Sequence, residues 1–142
     1  MNHDHYSDAQ LARILGDSKV IALVGASPNA ARPSHGVMAF LLSRGYRVIP
    51  VNPGQAGKTI LGQTVAARLA DIAEPVDMVD VFRAADQLDG VVEEALAMVP
   101  RPKVIWGQLS VRDDQAAARA EAGGIEVVMN RCPAIEIPRL GL

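Results

Sequence analysis

Short apolar runs rich in β-branched residues alternate along this chain with segments whose apolar residues recur at helical spacing. That alternation constrains the fold more than any other feature. Ser7-Asp8-Ala9-Gln10 has the spacing of a capping box, and Leu11, Ile14 and Leu15 follow on one helical stripe that Gly16 closes. Val20 to Val24 is then a continuous apolar run ending at Gly25, the pattern of a strand buried on both faces. A loop of Ser, Pro, Ala and Asn leads to about Arg32, and Val37, Phe40, Leu41 and Leu42 mark a helix stopped by Gly45. Arg47 to Val51 predicts a second strand, broken by Asn52-Pro53-Gly54. Downstream the pattern repeats. Val76 to Phe82 is β-rich, and Leu88 to Leu96 is helical in period until Pro100. Lys103 to Trp106 is another strand, Ser110 to Asp113 caps an Ala-rich helix, and Ile125 to Met129 is a last strand. Thr59-Ile60-Leu61 suggests a short extra strand.

Strands that alternate with helices at least four times imply a parallel sheet with helices on both faces. The expected architecture is α/β, a single doubly wound, Rossmann-like sheet flanked by helices. A chain of 142 residues suits one such domain. We divide residues 1–142 into an N-terminal helix to residue 16, a core over 17–132, and a tail over 133–142 that Pro133 and Pro138 make irregular. Fourteen Lys and Arg against sixteen Asp and Glu leave a net charge of −2, which argues against duplex nucleic acid as a partner. The one cysteine, Cys132, excludes a disulfide framework and a thiolate zinc cluster. The apolar runs fall well short of the roughly 18 residues that a membrane span needs. The start of the chain lacks an apolar export core, so the expected location is cytoplasmic, with no membrane partner. His3 and His5 are taken as part of a disordered tail rather than as metal ligands.

In open parallel sheets, ligands sit beyond the carboxyl ends of the strands, where the strand order reverses. The first such loop carries small residues at Gly25, Ala26 and Ser27, and then Arg32 and Ser34 at a helix start. Free amides and a partial positive charge there suit a phosphate, and Arg32 and Ser34 add hydrogen bonds. The other reading is an ordinary turn in which Ser34 caps the helix. The second strand ends at Asn52 without the acid that NAD-binding folds use to hold a ribose, and Lys58 follows. This counts against NAD and leaves NADP, coenzyme A (CoA) and other phosphorylated adenylates open. Arg32, Arg83 and Arg131 all follow strands, as a basic rim for a polyanion or as arginines paired with Asp86 and Glu136. Asp80 reads as a satisfied buried acceptor, His35 as a surface or capping residue, and Cys132 as either a reactive thiolate or an inert thiol.

Six motifs in order then carry a resemblance. They are Val-Gly-Ala-Ser at 24–27, Arg-Pro-Ser at 32–34 and Gly-Tyr-Arg-Val-Ile-Pro-Val-Asn-Pro at 45–53. Val-Asp-Met-Val-Asp-Val-Phe-Arg at 76–83, Val-Ile-Trp-Gly-Gln-Leu at 104–109 and Val-Val-Met-Asn-Arg-Cys-Pro at 127–133 complete the set. Over about residues 15–140 the chain resembles the small stand-alone CoA-binding proteins of bacteria and archaea, the YccU-like group. These are similar to the N-terminal domain of the succinyl-CoA synthetase α subunit. The resemblance implies CoA or acyl-CoA as ligand, with its pyrophosphate at Gly25, Ala26, Ser27, Arg32 and Ser34. It places the adenosine end near Asn52, Pro53 and the following loop. There Gln55 stands where the synthetases have a lysine, and Lys58 supplies the charge instead. The pantetheine arm would pass Val81, Phe82 and Arg83, then Trp106, Gly107 and Gln108, although the synthetases' Ile-Thr-Glu-Gly run reads Ile-Trp-Gly-Gln here. The phosphorylated histidine of the synthetases belongs to a second domain that this chain does not contain, so the expectation is binding without catalysis. Two alternatives stand beside it: an NADP-binding oxidoreductase fragment, and a redox or regulatory protein in which Cys132 exchanges with the CoA thiol. The apolar, proline-bearing tail suggests a homodimer, and an unidentified partner enzyme is the other candidate.

Overall fold

The computed structural model describes residues 2–142. In chain order the main elements are α1 (Asp8–Asp17), β1 (Val20–Val24), α2 (Pro33–Ser43), β2 (Arg47–Val51), β3 (Thr59–Ile60) and β4 (Gln63–Thr64). Then follow β5 (Met78–Val81), α3 (Leu88–Leu96), β6 (Val104–Gly107), α4 (Asp114–Ala122), β7 (Glu126–Val128) and α5 (Pro133–Arg139). Five strands form a parallel sheet in the order β2-β1-β5-β6-β7. The doubly wound α/β fold is as expected. Thr59 and Ile60 do form a strand, closing a small antiparallel hairpin with Gln63 and Thr64.

The two core layers follow from the alternation of side chains along each strand. Ile21, Leu23, Val48, Met78 and Trp106 face a layer built from Leu11 and Leu15 of α1, Met38 and Leu41 of α2, and Ile137 of α5. Ala22, Val24, Val79, Val81, Ile105 and Val127 face α3 and α4 through Val91, Val92, Ala95, Ala116 and Ala120. The chain order reverses between β1 and β5, which opens a crevice at the carboxyl ends of those two strands. No helix among the described residues is long and apolar enough to cross a membrane.

Two expectations about the chain's ends change. The Ser7 cap forms, its hydroxyl accepting from the Gln10 amide, but the segment before it is docked rather than loose. His3 is 5% exposed; its Nδ1 lies 2.7 Å from the Tyr6 hydroxyl and its Nε2 3.0 Å from Glu121. The Tyr6 hydroxyl also accepts from the Met129 amide just beyond β7, at 2.9 Å. Burying these groups against one another is cheaper than leaving the Met129 amide without a partner. Tyr6→Phe is therefore expected to lower stability by about 1–3 kcal/mol, measured as a lower urea midpoint with an unchanged slope.

The tail is not irregular either. Residues Pro133–Arg139 form α5 because Pro133 occupies the first helical position, where its missing N–H costs nothing. Ile137 is buried against α1 and α2, and Arg139 bridges Asp8 at 3.0 Å and Glu136 at 2.8 Å. This packing outweighs Pro138 near the helix end. Glu136 is thus committed to Arg139 rather than to a strand-end arginine.

Candidate functional site

A cleft of about 560 Å³ opens at the β1/β5 switch point. Its volume lies within the usual range for small-molecule sites, about 300–1,000 Å³. Gly25, Ala26, Ser27, Arg32 and Ser34 line it from the loop after β1 and the start of α2. Asn52 lines it from the end of β2, Phe82 and Arg83 from the end of β5, and Gln108 from the end of β6.

The first loop is held in shape by its own polar groups. Gly25 has φ +89°, and its amide donates to Val51 O at 3.0 Å, tying the turn to β2. A Cβ built on Gly25 would overlap the Phe82 carbonyl oxygen, so only glycine lets the β1 and β5 ends approach this closely. The Ala26 amide also donates to Val51 O, at 3.3 Å. Asn52 joins the two loops, its Nδ2 donating to Ala26 O at 2.8 Å while its Oδ1 accepts from Gly54 N at 2.9 Å. Ser27 Oγ accepts from Asn29 N, and Asn29 Oδ1 accepts from Ala31 N. The amides of Gly25 and Ala26 are therefore spent inside the protein.

The phosphate-competent groups lie further along the loop. Arg32 occupies the N-cap position of α2 but makes no side-chain capping bond. Ser34 is not the cap; it sits one residue inside Pro33, buried in the first turn. At the start of this eleven-residue helix Pro33 has no N–H, and the Arg32 and His35 amides donate to Asn29 O at 3.0 Å and Arg32 O at 3.1 Å. Among the described residues the first turn therefore offers the cleft the Ser34 amide and a partial positive charge. Arg32 and Arg83 are exposed and belong to no ion pair among the described residues, nor does Lys58. Arg131 departs from the expected rim. Its guanidinium lies 4.9 Å over the Tyr6 ring, and its backbone is clamped to β6 through Gly107 O and Trp106 Nε1.

Five of the expected site residues do not line the cleft. Val81 and Trp106 are fully buried, Val81 in the α3/α4 layer and Trp106 in the α1/α2/α5 layer, with its indole N–H given to Arg131 O at 2.9 Å. Pro53 and Gln55 form a short 3-10 turn beyond Asn52, and Lys58 lies past it in solvent. Pro33, Val37, Leu109, Val111 and Cys132 line the cleft in addition. Leu109 and Val111 come into reach because the loop after β6 folds back. Asn130 Oδ1 accepts from Ser110 N at 2.8 Å, with Ser110 at φ +71° and Asn130 at φ +58°. Only their neighbourhood to a strand end could have flagged them.

Two buried polar groups stand out here. Gln108 is 7% exposed, lines the cleft, and its Oε1 has no hydrogen-bond partner among the described residues. Asp80 is fully buried on β5, two residues before Phe82, and neither carboxyl oxygen has a partner among the described residues. The expectation of a satisfied acceptor is corrected. Its neighbours in register are Leu23, which is apolar, and Trp106, whose N–H is already given to Arg131 O. Burial pushes the Asp80 carboxyl well above the usual carboxylate range, favouring the neutral acid.

Residues 19–138 match a protein family described as a CoA binding domain. The chain is similar to YneT of Bacillus subtilis (strain 168), 37% identical over 126 residues that span 89% of this chain and 90% of that protein. A Pyrococcus horikoshii OT3 protein of solved structure superposes with a TM-score of 0.90 at 34% identity, covering 100% of this chain and 97% of its own. A Thermus thermophilus protein gives a TM-score of 0.88 at 38% identity, covering 95% and 99%. A dinucleotide-forming acetyl-coenzyme A synthetase from Ca. Korarchaeum cryptofilum shares the fold over 82% of this chain and 27% of its own, with a TM-score of 0.68 at 23% identity. With the match spanning all five strands of the sheet and the cleft at its switch point, the chain belongs to the CoA-binding domain family.

Proposed function

We propose that the chain binds CoA or an acyl-CoA across the strand ends and holds it without converting it. The observation that carries this reading is the pairing of unpartnered guanidiniums, Arg32 and Arg83, with the uncapped start of α2 at one cleft. A pyrophosphate there meets the two guanidiniums, the partial positive charge of the α2 start and the Ser34 amide. The adenosine end lies toward Asn52, with Pro53, Gln55 and Lys58 beside it. The arm runs past Phe82, Leu109 and Val111, with the Gln108 carbonyl as acceptor for an amide N–H.

Calorimetric titration with CoA, dephospho-CoA and NADPH tests the reading. CoA is expected to bind and NADPH to give no heat. Arg32→Ala is expected to weaken CoA binding about 10- to 100-fold, the equivalent of one charge-assisted hydrogen bond of about 1.5–3 kcal/mol. Absence of CoA binding at millimolar ligand would end the proposal, and an Arg32→Ala variant with unchanged affinity would end the assignment of the phosphate end.

A further inference from the structure

We propose that Cys132 is a modification site, at which the chain forms a mixed disulfide with the thiol of a ligand seated in the cleft. The inference rests on the reading of the cleft as a CoA site and adds a chemistry to it. Cys132 is the only cysteine of the chain. It is 6% exposed and lines the same cleft as Arg32, Phe82 and Gln108. What little of it is reachable is therefore reached through the ligand site.

Gln108 supplies the independent sign that a ligand extends here. Its Oε1 is buried, has no hydrogen-bond donor among the described residues, and belongs to a residue of the cleft lining. A buried amide oxygen without a donor costs about 1–3 kcal/mol, and an arm carrying amide N–H groups relieves that cost. Phe82, Leu109 and Val111 around it favour the apolar stretches of such an arm over another phosphate. With the anionic end drawn to Arg32 and the α2 start, the opposite end of the ligand falls among Gln108, Leu109, Val111 and Cys132. For CoA that end is a thiol.

The co-reactant is a low-molecular-weight disulfide of the ligand's own thiol, with one half seated in the cleft. The Cys132 thiolate attacks the sulfur of the seated half. The original S–S bond breaks as the Cys132–S–S bond forms. The other half leaves as a thiolate and takes up a proton equivalent to the one Cys132 lost. Cys132 is oxidised to a mixed disulfide, one sulfur of the small disulfide is reduced to a thiol, and no further electron acceptor is needed. A burial this deep makes the seated half the only fast route to Cys132. Small disulfides that the cleft does not hold have no comparable residence beside it.

The experiment follows intact mass over time for the native protein with CoA disulfide and, separately, with glutathione disulfide at equal concentration. CoA binding is measured by calorimetry on the same reduced protein. With CoA disulfide, the expected product is one adduct per chain with the mass of one CoA less two hydrogens. It is reversed by dithiothreitol, absent in Cys132→Ser, and formed at least about tenfold faster than the glutathione adduct. That ratio is erased when both reactions are run in denaturant. CoA binding with no adduct overturns the modification and leaves the binding reading standing. Equal rates with the two disulfides also overturn it, because Cys132 would then react as an ungated thiol. Loss of CoA binding altogether overturns both.

Discussion

Replacing Gly25 with alanine is expected to destabilise the protein by roughly 2–6 kcal/mol and to abolish ligand binding. Two costs combine. At φ +89° any side chain is strained, by about 1–3 kcal/mol. The new methyl group would also overlap the Phe82 carbonyl oxygen and lie 3.0 Å from its carbon; overpacking of this kind costs about 1–3 kcal/mol more. The obstructing atoms belong to the backbone at the end of the central strand β5, which is paired on both sides and cannot swing away as a side chain could. Relief comes only by parting the β1 and β5 ends, which is where the cleft opens. Gly90→Ala is the control, because a Cβ there meets nothing within 4 Å and the residue lies inside α3. It is expected to be neutral or stabilising by up to about 1 kcal/mol. Denaturant midpoints of the two variants, with CoA calorimetry on each, check the contrast. A Gly25→Ala variant as stable as the parent would show that the strand ends can part without cost.

Asp80→Asn is expected to stabilise the protein at neutral pH and to flatten its stability on the acidic side. An unfolded aspartate titrates near 3.9, whereas burial raises the folded value well above that. Between the two the folded state holds a proton that the unfolded state has released. The stability contributed by the neutral acid is therefore complete below the unfolded value. It declines by about 1.4 kcal/mol for each pH unit until the folded value is reached. Asparagine does not ionise, so the variant loses this slope while keeping nearly the same volume. Asp77, three residues earlier, behaves oppositely. Burial alone would raise its pKa, but hydrogen bonds from the Val20 and Lys19 amides and the nearby Lys103 ammonium bring it below the usual range. That contribution is the same in parent and variant and cancels in the difference. Urea titrations of both proteins across acidic to neutral pH measure the difference directly. Parallel curves would show that Asp80 ionises in the folded state as easily as in the unfolded one.

The two aspartates show where sequence reading stops. Both stand in the same β-rich run, 76–83, and nothing local separates them. Asp77 precedes β5 and meets the amides that open β1, while Asp80 lies directly in register with Leu23 and Trp106. The site shows the same division. Gly25, Arg32, Ser34, Asn52, Phe82, Arg83 and Gln108 were legible because in a parallel sheet any residue just past a strand lies at the ligand edge. Val81 stands one alternation of the pleat from Phe82, whereas Trp106 shares the alternation of Gln108 and is covered by the α1/α2/α5 layer. Each is the neighbour of a cleft residue or lies two positions from one, yet each points into a core layer.

The sequence alone determined the five strands of the parallel sheet, the helices α1 to α4, their order and the edge of the sheet that carries the cleft. Apolar periodicity and turn residues act over a few positions, and the crossover rule converts their order into a parallel sheet. Tertiary structure decided the rest. It docked His3 and Tyr6 onto the end of β7, made a helix of a tail with two prolines, and turned Arg131 away from the cleft toward Tyr6. It also folded Leu109 and Val111 into the lining beside Cys132. Each of these depends on contacts between residues far apart in the chain. Their energies, buried hydrogen bonds and apolar packing of a few kcal/mol, exceed the local preferences that sequence patterns report.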